Sequence, residues 1–81
     1  MKLYLLSQND NNDYDTWDAV VVCAESQEAA RLIHPSGHAK NITKWKDGSW
    51  ANSPDTVDVQ YLGEADPSIE AGVVLSSFNA G

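Results

Sequence analysis

Apolar positions recur along this chain in short bursts, separated by clusters of Asn, Asp, Ser and Gly. From Lys2 to Ser7, Leu3 and Leu5 fall on one side of an extended segment and Tyr4 and Leu6 on the other, which predicts a first strand. Gln8–Asp15 is rich in Asn and Asp, whose side chains bond local backbone and favour turns. Trp17–Ala24 is the strongest strand signal: Val20, Val21 and Val22 are consecutive and β-branched, so burial on both faces is expected.

Ser26 is placed to cap a helix, with Glu28 near the positive end of its dipole. The helix is predicted over Gln27–His34, with Ala29, Ala30, Leu32 and Ile33 as its apolar face and Pro35 and Gly37 as its stop. Lys44–Ala51 contains Asp47-Gly48, the dipeptide preferred in two-residue type I′ hairpins. Such a turn would set Trp45 opposite Trp50 on one face of the ladder: if that face covers the core the pair is structural, the favoured reading, and if it points outward the pair anchors a partner. Asn52–Asp55 reads as a turn or a single helical turn. Thr56–Leu62 alternates, with Val57, Val59 and Tyr61 against Thr56, Asp58 and Gln60, and predicts a strand with one wet face. Gly63–Gly72 is a loop, and Gly72–Phe78 a last strand built on Val73, Val74, Leu75 and Phe78. The order β-β-α-β-β-β gives an α+β fold: an antiparallel sheet of about four to five strands with one helix packed on one face. No repeat or internal boundary appears, so residues 1–81 are read as one domain.

Size changes what such a fold can do. Eighty-one residues bury a modest core, worth roughly 3–5 kcal/mol of stability, and leave little room for a deep substrate cavity. Cys23 is the only cysteine, which excludes an internal disulfide, and its apolar run predicts a buried, inert thiol. The apolar stretch after Lys2 spans Leu3–Leu6, too short for a signal-peptide core, and no run approaches membrane-spanning length. The expectation is a cytoplasmic protein with no membrane partner.

Charge is sorted into three blocks. Residues 1–30 carry a net −5, residues 31–46 a net +4 with no acid, and residues 47–81 a net −6 with no base, for a total of −7. A field of this kind speaks to solubility and choice of partner. The basic block holds Arg31, Lys40, Lys44 and Lys46 beside Trp45, a combination that could stack on a base and neutralise phosphates. A polyanion would meet the flanking acidic blocks first. Complementarity within the fold, or an edge for a protein partner, is the better reading, and direct nucleic-acid binding is not expected.

Chemistry-bearing constellations are weak. An EF-hand loop started at Asn11 would place Thr16 sixth and Val22 twelfth, where glycine and a bidentate glutamate are needed. His34 and His38 are four apart, but Pro35 and Gly37 break the helix that would make this spacing a zinc pair, leaving exposed turn histidines. Phosphate-binding glycine patterns do not occur, and no spacing joins Cys23 to a histidine as a nucleophilic pair. No enzyme activity, metal or cofactor is expected.

The runs Tyr14-Asp15-Thr16-Trp17-Asp18, Val20–Ser26, Glu28-Ala29-Ala30-Arg31 and Ile33-His34-Pro35 resemble small uncharacterised proteins carried by bacteriophages and their hosts. Tyr61-Leu62-Gly63-Glu64-Ala65 and the ending Ser77-Phe78-Asn79-Ala80-Gly81 are similar too. The resemblance brings no known site residues. It implies a phage accessory protein, a class that includes inhibitors of host defence such as anti-CRISPR proteins.

Two functions are carried forward. In the first, surface carboxylates occupy a basic surface on a host nucleic-acid-handling or defence complex, with Asp10, Asp13, Asp15, Asp18, Asp55, Asp58 and Glu64 as the contact residues. In the second, the chain is an interaction module that pairs through a sheet edge or the Trp45/Trp50 hairpin, including with a second copy of itself.

Overall fold

A computed structural model describes residues 1–11, 15–36 and 49–79, with the backbone alone at 78 and 79. Four strands form one antiparallel sheet: β1 (Lys2–Ser7), β2 (Thr16–Ala24), β3 (Asp58–Glu64) and β4 (Gly72–Asn79), in spatial order β3-β1-β2-β4. A short helix, α1 (Gln27–Arg31), follows β2 and packs against β1, β2 and β3. This is the expected α+β class; among the described residues the order is β-β-α-β-β, one strand fewer than the expected β-β-α-β-β-β.

Pairing and alternation decide which side chains meet. Leu6 lies opposite Val20 and Tyr4 opposite Val22, so these four share the helix-side face with Ala24. They form a core with Ala30, Trp50, Ala51 and Val57, against which Trp17, Ile33 and Val59 pack in part. On the other face Leu5 lies opposite Val21 and Leu3 opposite Cys23. Both faces of β2 are therefore apolar, as the valine run predicts, but only the helix side is fully covered.

Each edge strand carries a bulge. Leu62 is the extra residue where Leu3 pairs Gly63 and Tyr4 pairs Tyr61, and Gly63 adopts φ 145° there, a conformation closed to residues with a Cβ. Val74 is the extra residue on β4, between Val73 opposite Val22 and Leu75 opposite Val21.

Three expectations need correction. The helix ends at Arg31, three residues early. Leu32 and Ile33 donate to Ala29 and Ala30 in tight i→i−3 bonds, because the residue before Pro35 is driven out of helical conformation. Only Ala30 and Ile33 of the predicted apolar face turn inward, and Leu32 is exposed. The hairpin's second arm is not a strand: Ser49–Ala51 is a bend whose Ser49 carbonyl accepts from Trp17 N at 2.8 Å. Its first arm and Asp47-Gly48 lie outside the described residues. The strand predicted from Thr56 begins at Asp58, because Pro54–Thr56 form a 3₁₀ turn with proline at its start. The Ser26 cap does form: its Oγ accepts from Ala29 N at 3.1 Å.

Candidate functional site

The end of the sheet where β1 stops and β2 and β3 begin is built by one buried polar side chain. Gln8 continues the inward alternation of Tyr4 and Leu6 and is buried beneath the loop that follows. Its Oε1 accepts from the backbone amides of Asp10 (2.8 Å) and Asn11 (2.9 Å), and its Nε2 donates to the carbonyls of Asn11 (2.7 Å) and Trp17 (3.1 Å). All four polar valences of the amide are thus used, which is what makes its burial tolerable. Asn11 passes the connection on, donating from Nδ2 to the Trp50 carbonyl and to Asn52 Oδ1.

Asp10 completes the clamp. Its Oδ2 accepts from Asn52 N at 3.0 Å and from the Thr56 hydroxyl. The Thr56 bond, and after it the Asn52 amide, hold the Asp10 carboxyl below the usual carboxylate range. Arg31 secures the same turn from the helix, with Nη1 donating to the carbonyls of Val57 (2.5 Å) and Pro54 (3.4 Å). The one described cation of the basic block is thus turned to backbone carbonyls; Lys40, Lys44 and Lys46 lie outside the described residues.

Five of the predicted contact residues lie on segments at this end of the sheet. Asp10 and Asp15 flank the loop after β1, Asp18 sits on β2 where its pairing with β4 shifts, Asp55 lies in the 3₁₀ turn, and Asp58 opens β3 opposite Ser7. All five are exposed. Asp15 takes φ 61°, a left-handed conformation that aspartate tolerates better than most residues. Glu64 is not part of this group. It sits at the opposite end of β3, where its carboxylate accepts the Tyr61 hydroxyl at 2.9 Å and pushes the Tyr61 phenol above its ordinary value. Asp13 and Trp45 lie outside the described residues.

Trp50 takes the structural of the two places the sequence leaves open, which removes it from the predicted contact set. Its side chain is fully buried in the core and offers no surface to a partner. Its position follows from the Gln8–Asn11 clamp, which draws residues 50–52 over the helix-side face.

His34 is a correction. It is buried rather than exposed, with its ring edge-on to Trp17 at 5.8 Å and its Nδ1 accepting from Ser36 N. Cys23 lies on the opposite face of the sheet, with Sγ 4.0 Å from Met1 Sδ and 3.9 Å from the Ile69 carbonyl. The two groups are therefore not a catalytic pair. Among the described residues no three His, Cys, Asp or Glu side chains are grouped so as to hold a metal ion, and no helix is long and apolar enough to cross a membrane.

The sheet face away from the helix carries a shallow concavity of about 260 Å³ beside β4, lined by Leu5, Ala19, Val21, Leu75 and Ser77 among others. Val73, Val74 and Leu75 form the strand the sequence predicts there. They are exposed, because β4 is the sheet's outermost strand.

No protein-family model, curated protein or solved structure matches this chain.

Proposed function

We propose that this protein acts by binding and performs no bond chemistry. Its aspartate-bearing sheet end occupies a basic surface on a bacterial host protein or complex, in the manner of a phage-type inhibitor of nucleic-acid handling or defence. The observation that carries this reading is that Asp10, Asp15, Asp18, Asp55 and Asp58 are all exposed on separate segments at one end of the sheet. Carboxylates arranged this way can take the place of phosphates on a cationic groove, and a net charge of −7 speeds the encounter. The phage-type resemblance and the cytoplasmic expectation support the same setting.

The test is capture of a partner from bacterial lysate, with parent and a variant carrying Asp15→Asn, Asp18→Asn, Asp55→Asn and Asp58→Asn. Asp10 is left in place because it holds the loop. The expected result is a captured protein with a basic surface, released as salt rises from about 50 to 300 mM, and not captured by the variant. Capture that survives all four substitutions overturns the reading.

A second reading is a non-enzymatic module that pairs through a sheet edge. It is favoured by the exposure of Val73, Val74 and Leu75 on β4; a homodimer is one form of it.

A further inference from the structure

β4 ends the sheet, and among the described residues its only strand partner is β2. Its outer main-chain groups therefore face outward as a template for another strand. The devices that normally blunt such an edge are few here. No charged residue and no proline occurs from Ala71 to Gly81. One bulge, at Val74, is the exception. Leu75, 68% exposed, borders the concavity on the uncovered face, so a strand added outside β4 would set one of its own side chains beside that hollow.

Charge frames this edge at both ends. Glu70 stands just ahead of Gly72, where β4 begins. At the far end, Asp18 sits at the shift between the Trp17–Phe78 and Ala19–Ser77 pairs, and Asp15 precedes Thr16, the partner of Asn79. The centre is uncharged and both margins are acidic.

From this we infer that the β4 edge takes up an extended peptide segment of a partner protein by strand addition. The segment carries uncharged β-forming residues over about six positions, matching the exposed part of the strand, and Lys or Arg at both ends. Main-chain bonds along β4 supply affinity, and the Leu75 concavity selects a small apolar side chain at one position. The inference rests on the binding reading above and names the chemistry of the partner. A second copy of the chain fits poorly: antiparallel β4–β4 pairing would bring the Asp18 end of one copy against the Glu70 end of the other, between molecules of charge −7.

The experiment uses the isotope-labelled full chain and a synthetic peptide of about ten residues, valine and threonine alternating between paired arginines. At low salt, saturating peptide should slow exchange of the outward-facing β4 amides by about tenfold or more. Replacing the arginines by glutamates should weaken binding by about tenfold or more. A Val74→Lys/Leu75→Lys variant should lose the protection; both positions are exposed, so its unfolding midpoint should stay near that of the parent. Unchanged β4 exchange at saturation overturns the inference, as does protection confined to the aspartate end. A peptide-free dimer with β4 already protected overturns it in favour of the second copy. The binding reading is judged separately by lysate capture with Asp55→Asn and Asp58→Asn alone: both lie on the β3 side of the sheet, away from β4, and leave Asp15, Asp18 and Glu70 in place.

Discussion

The Asp10 carboxylate accepts the hydroxyl of Thr56, forty-six residues further along the chain. With the Asn52 amide on the same oxygen, this joins the loop after β1 to the turn before β3. It also separates Asp10 from the other aspartates at that end: they are displayed, while it is employed.

That employment has a pH signature. The Asp10 carboxyl sits below its ordinary value of 3.8, through the Thr56 hydroxyl and then the Asn52 amide. A carboxyl depressed in the folded state lends stability above its unfolded value and loses it as pH falls through the lower folded value. Asp10→Asn is therefore expected to lower the urea midpoint at pH 7, with the gap to the parent closing below about pH 4. Asp66, whose carboxyl is lowered by Ser68 N and the Ser68 hydroxyl, adds an acid-side loss of the same sign. Urea titrations across pH 2–7 measure both.

Gln8→Ala removes all four bonds of the buried amide and leaves the Trp17 and Asn11 carbonyls without their donor. The expected loss is about 1–3 kcal/mol by chemical denaturation. Gln8→Glu is expected to be no milder, because a carboxylate cannot donate to those two carbonyls.

Trp50→Ala empties the largest fully buried side chain and should cost about 3–5 kcal/mol. For a domain of this size that is comparable with its whole stability, so loss of dispersed amide signals in the NMR spectrum is expected at room temperature. Trp50→Phe should retain the fold at reduced midpoint.

Tyr61 should ionise later than an ordinary tyrosine, because the Glu64 carboxylate accepts its hydroxyl. Glu64→Gln removes the charge and should move the ultraviolet titration of that phenol back toward 10.0. The associated stability is present at neutral pH and fades as pH rises through the elevated value.

Cys23 is fully buried, with Met1 Sδ and the Ile69 carbonyl against its Sγ. A thiol reagent should label the native chain only through local opening, and label it fast in denaturant.

Local signals in the sequence located much of this fold. β1 has the predicted bounds, β2 begins one residue earlier, and Ser26 caps the helix, because alternation and capping are decided within a few residues. What escaped depends on distant partners. Gln8 lies in an Asn/Asp-rich run that reads as solvated, and its burial is visible only once the fold brings the Trp17 carbonyl to its amide. Trp50 reads as half of a hairpin pair, but residues 50–52 are held by Asn11 and Asp10 instead. Val73–Leu75 has the composition of core, and only the order β3-β1-β2-β4 puts it at the rim. That the aspartates share one end of the sheet has the same origin: antiparallel pairing of β1 with β3 brings Asp58 beside Ser7, although half the chain separates them.

The strands made first, β1 and β2, occupy the middle of the sheet, and those made last supply its two flanks. During synthesis the early ribbon must wait, its peptide groups bare to left and right, until residues 58–64 and 72–79 leave the ribosome. That interval, more than the finished molecule, is when this chain is most open to mispairing with its neighbours.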